Sequence, residues 1–248
     1  MNDRLEQFLR HLRVLLLHAR VAKSEDLTIQ DECCIIAPHP DDETLGCGGL
    51  IARLCSQGTP PHVVILTGGG KSHSGCCHID EEELKSHRRD LARQALKGLG
   101  LPADHLHLLD FPDGSISPED PHMEEFHRLI GKLAPKQLFI PCQGEGWPDH
   151  LIVKKLIQKL PTRYKIIEYC VWMWYYNVWR LPWKTARLFT LSRKEQQLKR
   201  QSVEIYTETL APCGKPWSGV LPPLLIRANL QNSELYFIHE HVEHPTDF

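Results

Sequence analysis

The chain has 248 residues, with 29 Lys and Arg against 31 Asp and Glu for a net charge of −2, and 42% of its residues are hydrophobic and 24% charged. That is ordinary globular composition; it excludes a nucleic-acid protein held by a broad basic field and a chain dominated by disorder. The nine cysteines are odd in number, include the neighbours Cys33-Cys34 and Cys76-Cys77 and form no CxxC, which excludes a secreted disulfide framework and points to reduced thiols in the cytoplasm.

Residues 4–22 read as an amphipathic helix with Leu5, Phe8, Leu9, Leu12, Leu15 and Leu16 on one side. Its most apolar stretch, Val14 to Leu17, is flanked by Arg10, Arg13 and Arg20. It falls far short of the roughly 18 apolar residues a membrane span needs, so no stable membrane insertion is expected. Cys33 to Ala37 is a continuous apolar run suited to a buried parallel strand. A helix follows over 43–57, with Gly46, Gly48 and Gly49 permitting close packing and Gly58 ending it. Strands are predicted at 62–67, 105–109, 137–141 and 165–171, and helices at about 80–98, 120–133 and 149–160. This alternation predicts an α/β fold with a mostly parallel sheet and crossover helices. After about 170 the rhythm breaks into an aromatic stretch, a helix near 193–209 and Pro-rich loops with short strands. With no repeat and no linker, the chain reads as one domain over 1–248, with a core at about 30–165 and a C-terminal, substrate-side elaboration at about 166–248.

Two constellations sit just beyond carboxyl ends of predicted strands, where ligand sites form in open α/β sheets. In Pro38-His39-Pro40-Asp41-Asp42-Glu43 one imidazole and three carboxylates crowd into five residues. His39 and Asp42 are three apart, so one turn can aim both at a point. They offer the nitrogen and oxygen that a borderline divalent metal accepts. Asp41, between them, is free to take a proton from water activated there. The alternative is an acidic helix start, with the carboxylates complementing the dipole, and Glu43 suits that role in either case. The second constellation is Gly146-Trp147-Pro148-Asp149-His150, with Pro148 fitted to the first turn of the next helix. His150 can complete a His/Asp/His set with an open position, the arrangement of catalytic rather than structural zinc.

Three further features carry less. Residues 169–183 hold Trp172, Trp174, Trp179 and Trp183 with Tyr169, Tyr175 and Tyr176. Such rings stack on sugar faces, and equally build a core patch or a subunit interface, so a homo-oligomer stays open. His73-Ser74-Gly75-Cys76-Cys77-His78 contains metal-ligating types without a standard zinc spacing, in a predicted loop. Gly68-Gly69-Gly70 lacks the Lys-Ser/Thr of a P-loop, and no Gly-x-Ser-x-Gly elbow appears.

The run Cys33 to Leu54 with its APHPDDE core, and the later PDH before an apolar helix, resemble the PIG-L/LmbE-like deacetylases. Thr67-Gly68-Gly69, Arg88 ahead of Leu99-Gly100, and Asp113-Gly114 extend the resemblance over about 33–160, and 169–223 is a looser match to a bacterial subgroup. The resemblance implies a Rossmann-like three-layer fold and a metal-dependent hydrolase that removes an N-acetyl group from an N-acetylglucosamine-type sugar in a small-molecule conjugate. It implies zinc, or another divalent metal such as Fe2+, held by His39, Asp42 and His150, with Asp41 as general base on zinc-bound water. It implies sugar contacts by Arg88 and Asp113, to which the aromatic reading adds Trp147, Trp172 and Trp174. Two positions depart from the family: Trp147 replaces the first histidine of its HPDH motif, leaving Asp149 without that partner, and Leu91 stands where its helix usually carries an acid. The alternatives are an amidase for another sugar-linked amide, or a catalytically weak sugar- or metal-binding member.

Overall fold

The structure is a computed structural model that describes residues 3–21, 25–27, 29, 32–162, 164–176 and 181–239. Among the described residues eight strands form one sheet: β1 (Glu25–Asp26), β2 (Cys33–Ala37), β3 (His62–Thr67), β4 (Leu106–Phe111), β5 (Gln137–Pro141), β6 (Lys165–Tyr169), β7 (Ala186–Thr190) and β8 (Ser233–His239). The helices are α1 (Asp3–Val21), α2 (Asp42–Ser56), α3 (Glu81–Gly98), α4 (His122–Leu133), α5 (Pro148–Gln158), α6 (Arg193–Glu208) and α7 (Pro223–Asn229).

The strand order is β1-β7-β8-β6-β5-β2-β3-β4. All pairings are parallel except those of β8, which runs antiparallel between β6 and β7. From β2 the chain moves outward through β3 to β4, then returns to the other flank of β2 to lay down β5 and β6. The order therefore reverses between β2 and β5, the topological switch point at which strand ends splay and a crevice opens. Both constellations follow these two strands.

Side chains alternate across the sheet, as the pleat requires. Cys33, Ile35 and Ala37 face a core shared with α2, α3 and α6, whereas Cys34 and Ile36 face a core shared with α4 and α5. A smaller cluster joins α1, α7 and the segment 170–174. Helix α2 is buried along most of its length. Close packing there depends on missing side chains: a Cβ at Gly46 would collide with the Tyr169 ring, and one at Gly49 with Leu191. The carboxylate of Glu234 in β8 accepts the N–H of Gly49 at 2.8 Å and of Leu50 at 3.0 Å, and pairs with Lys199 Nζ at 2.7 Å.

Three expectations are revised. The third strand starts after a 3-10 turn at Ala103–His105 and runs on to Phe111. The strand expected to reach 171 stops at Tyr169, because a 3-10 turn at Trp172–Trp174 bends the chain. On α1 the side bearing Leu5, Phe8, Leu9, Leu12, Leu15 and Leu16 is exposed, while Arg13, Val14 and Leu17 face the body. Arg13 takes the inward position because its guanidinium caps the carbonyls of Met173 at 2.8 Å and Trp174 at 2.7 Å. No helix among the described residues is long and apolar enough to cross a membrane.

Candidate active site

After β2 the prolines at 38 and 40 prevent an immediate helix, and the chain turns through Asp41 at φ 125°, outside the region that non-glycine residues favour. The turn holds itself. Glu43 Oε2 accepts the Asp41 N–H at 3.0 Å, and Asp42 Oδ2 accepts the His39 N–H at 3.0 Å. Asp42 opens α2, and its carboxylate leans back over the turn. At the end of β5, Trp147 sits at the N-cap of α5 and Pro148 takes the first helical position, so His150 emerges in the first turn.

These turns bring His39, Asp42 and His150 together. Asp42 Oδ2 lies 3.2 Å from His39 Nδ1 and 3.2 Å from His150 Nε2. One ligand atom from each lies within 4.8 Å of the others. The remaining ring nitrogens face carboxylates. His39 Nε2 is 3.2 Å from both Asp113 Oδ1 and Asp149 Oδ2, and His150 Nδ1 is 3.2 Å from Glu145 Oε2. The donor set fits a divalent cation: two imidazoles and a carboxylate converge at one buried point, and His150 Nε2, 3.2 Å from Asp42 Oδ2, makes no well-formed hydrogen bond there.

The charges are set by burial and by each other. Burial opposes protonation of His39, but its hydrogen bonds to Asp113, Asp149 and Asp42 outweigh it and raise the pKa well above the ordinary value. His150 behaves likewise: burial lowers its pKa, Asp42 and Glu145 raise it, and the result is about 9. Asp41 is pushed up to about 8, chiefly by burial, with Arg88 opposing and Asp42 and Glu43 adding to the rise. Burial also pushes Asp42 up, but His150 and His39 bring it below the usual carboxylate range. Asp113 is brought down to about 2, the His39 hydrogen bond overcoming burial.

The group opens into a cleft of about 440 Å³. His39, Asp41, Asp42 and His150 line its floor; Trp147 and Trp172 form one wall, and Ser72, Ser74 and Ser218 contribute to another. Trp147 is 43% exposed, at the lip, its ring edge-on to Trp172 at 5.5 Å between centroids.

Some expected contacts are placed otherwise. Trp174 does not line the cleft. The 3-10 turn sends it to the opposite side from Trp172, where it is buried and its ring stacks on His18 at 4.3 Å. Arg88 and Asp113 do line the cleft, but both Nη atoms of Arg88 and both carboxylate oxygens of Asp113 are engaged by the protein. Arg88 donates to Asp41 Oδ2 at 3.0 Å, Pro40 O at 2.7 Å and Gly69 O at 3.0 Å. It comes so close to Gly69 that a Cβ there would collide with its guanidinium. Asp113 accepts the Lys71 N–H at 2.7 Å besides facing His39. Asp149 has found new partners: it accepts the Gly114 N–H at 2.6 Å and the Ile116 N–H at 3.3 Å, and supports His39. Leu91 packs in the core, and neighbouring Asp90 pairs with Arg93 in solvent. Trp179 lies outside the described residues.

Glu145 was missed. It is fully buried and accepts the N–H groups of Val171 at 2.8 Å, Trp172 at 2.6 Å and Met173 at 3.3 Å while facing His150. In the sequence it is only an acidic residue five positions before a candidate ligand, and no helical spacing links the two.

The family described as PIG-L, GlcNAc-PI de-N-acetylase, matches residues 34–160. The diacetylchitobiose deacetylase of Thermococcus kodakarensis is 30% identical over 118 residues, covering 46% of this chain and 43% of that protein. The 1D-myo-inositol 2-acetamido-2-deoxy-alpha-D-glucopyranoside deacetylase of Nocardioides sp. is 24% identical over 251 residues, covering 88% of this chain and 80% of that protein. The chain thus spans under half the length of the first relative and most of the second. Among solved structures, the 4-carboxy-2-hydroxymuconate hydratase GalB of Pseudomonas putida superposes with a TM-score of 0.62 at 14% identity, covering 88% of this chain and 99% of that one. At that identity the likeness concerns the fold alone.

Proposed function

Because this chain belongs to the PIG-L family, whose relatives above include deacetylases of GlcNAc-type sugars, we propose that it is a metal-dependent hydrolase removing an N-acetyl group from an N-acetylglucosamine-type sugar in a small conjugate. The observation that carries the reading is the meeting of His39, Asp42 and His150 at the floor of a cleft that Asp41 also lines. Those three residues would hold a divalent ion, zinc first and Fe2+ next, which supplies Lewis acidity for water and for the acetamide carbonyl.

The chain's own groups do the rest. Glu145 orients His150 by taking its Nδ1–H, and Asp113 and Asp149 accept from Nε2 of His39, so the nitrogens that face Asp42 are the ones free to ligate once each ring is neutral. This carboxylate support fixes tautomer and ring direction. Asp41 is the general base: its carboxylate accepts a proton from water and returns it to the departing amine. Arg88 is its positioning partner, fixing one oxygen at 3.0 Å. Trp147 and Trp172 offer ring faces and edges to the sugar. A cleft of about 440 Å³ suits a sugar-sized ligand.

The test is acetate and amine release from a panel of N-acetylglucosaminides by protein loaded with zinc or Fe2+. Release that depends on added metal supports the reading. Metal-loaded protein that binds the sugars without releasing acetate replaces it with the sugar-binding reading, which Trp147 at the place of the family histidine motivates. Release only from other N-acyl sugars selects the amidase reading.

A further inference from the structure

A second group of metal-ligating side chains lies behind the Ser72–Ser74 wall of the cleft. His73, Cys76 and Cys77 come from the loop after β3, and Cys213 comes from the tip of a hairpin closed by the Leu210–Pro216 bridge. One atom from each of the four lies within 4.8 Å of the others. His78, which the sequence placed in the same cluster, is not part of it; Cys213, 136 residues beyond Cys77, takes the fourth place.

The His73 tautomer is decided by its surroundings. Nε2 lies 2.8 Å from the Pro216 carbonyl oxygen, which can only accept, so Nε2 carries the hydrogen. Nδ1 of the neutral ring is then bare, and three sulfurs surround it: Cys77 at 3.1 Å, Cys213 at 3.5 Å and Cys76 at 3.9 Å. One lone pair accepts one hydrogen, so at most one of the three thiols donates to it, and the sulfurs otherwise meet one another and Lys215. The distances do fit a tetrahedral ion. With Zn–N of about 2.0 Å and Zn–S of about 2.3 Å, a ligating nitrogen stands about 3.5 Å from each sulfur. A ligating histidine whose other ring nitrogen donates to a backbone carbonyl is the usual supporting arrangement.

We propose that His73, Cys76, Cys77 and Cys213 form a closed Cys3His site for a structural zinc ion, separate from the candidate catalytic group. Binding replaces three S–H protons with one Zn2+, leaving one net negative charge beside Lys215, which hydrogen-bonds Cys76. With four protein ligands the site keeps no open position for substrate. Its consequence is mechanical. The ion ties the loop carrying Ser72 and Ser74 to the hairpin that leads into Ser218, and all three serines line the cleft. Ser72 Oγ already bonds the Trp217 carbonyl at 3.0 Å across the same junction.

The test begins with the unaltered full chain loaded with Co2+, where thiolate ligands give intense near-ultraviolet charge-transfer absorption and a His/Asp/His site gives none. His150→Ala removes any contribution from the cleft and makes the result independent of the proposed catalytic ion. We expect His150→Ala to keep the thiolate band and one zinc per chain, and Cys213→Ser to lose the band and that zinc. Zinc should also protect three thiols of the unaltered protein from alkylation. Absence of the band from unaltered, cobalt-loaded protein overturns the proposal, as does equal alkylation with and without zinc. Recovery of two of these cysteines as a disulfide, two hydrogens lighter by intact mass, overturns it as well.

Discussion

Glu145 Oε2 stands 3.2 Å from His150 Nδ1, and both side chains are fully buried. The same carboxylate holds the backbone N–H groups of 171–173, so one residue orients a candidate ligand and anchors the turn that presents Trp172. Glu145→Gln keeps the size but removes half of the acceptors. Loss of such outer support lowers metal affinity by about 10–100-fold. A competition titration with a chromophoric chelator should read a loss in that range; unchanged affinity would show that Glu145 serves the backbone alone.

Asp41→Asn should leave metal content unchanged and lower turnover by at least about 10²-fold, the lower end of what a positioned base contributes. Asparagine tolerates positive φ nearly as well as aspartate, so the turn at φ 125° survives the change. Metal content and turnover measured on one preparation decide the point, and retained turnover removes Asp41 as the base.

Metal uptake by the cleft should release protons. His150 titrates at about 9 without metal, held up against burial by Asp42 and Glu145, and Asp41 at about 8 through burial. At pH 7 both therefore carry protons, and a ligating imidazole must be neutral. Apparent affinity should rise with pH through the range in which His150, and His39 whose pKa its carboxylate neighbours also raise, lose their protons. Calorimetry in buffers of different ionisation enthalpy counts the protons; a binding heat independent of buffer contradicts the assignment.

Trp147→Ala should raise KM several-fold for N-acetylglucosaminides and leave the thermal midpoint nearly unchanged. The ring is 43% exposed at the lip, so its removal leaves no core cavity, while stacking on a sugar is lost. Trp147→His should raise turnover at unchanged midpoint, since an imidazole there can donate toward a developing oxyanion. A lowered midpoint with no kinetic change would place the ring's role in packing.

A cluster remote from the cleft should add to the acid sensitivity of the fold. His62 stacks on His105 at 4.2 Å and lies 3.2 Å, Nδ1 to Nε2, from His107. Burial first, then the neighbouring imidazoles, lower its pKa from 6.5 to about 4. Below pH 6.5 the unfolded chain takes up a proton that the folded one refuses until about pH 4, so stability falls across that interval. His62→Gln should flatten the decline in thermal midpoint between those pH values; an unaltered slope assigns the acid sensitivity elsewhere.

What was legible in the sequence was local. Strand–helix alternation gave the sheet, and each constellation declared itself by sitting at a strand end, which is why His39, Asp42 and His150 could be named together. What was not legible depends on chain segments meeting. Trp172 and Trp174 are alike in sequence, and only the 3-10 turn puts them on opposite sides. The β8 strand enters the sheet between two strands that precede it. The fourth side chain beside His73 lies on a hairpin that no spacing rule connects to it.

The buried pair Lys199–Glu234 bears on how far the cleft can be separated from the rest of the chain. Both residues lie beyond the family-matched segment, yet Glu234 holds the N–H groups of Gly49 and Leu50, two turns along the helix that Asp42 opens. Tyr206, also beyond it, donates to Glu43 Oε1 at 2.7 Å. Removing one member of such a buried charge pair leaves the other uncompensated, at a cost of about 3–5 kcal/mol. A chimera that exchanges the C-terminal half for that of a relative must therefore bring matched partners for positions 199, 206 and 234, or the graft fails at α2 before its substrate preference can be read.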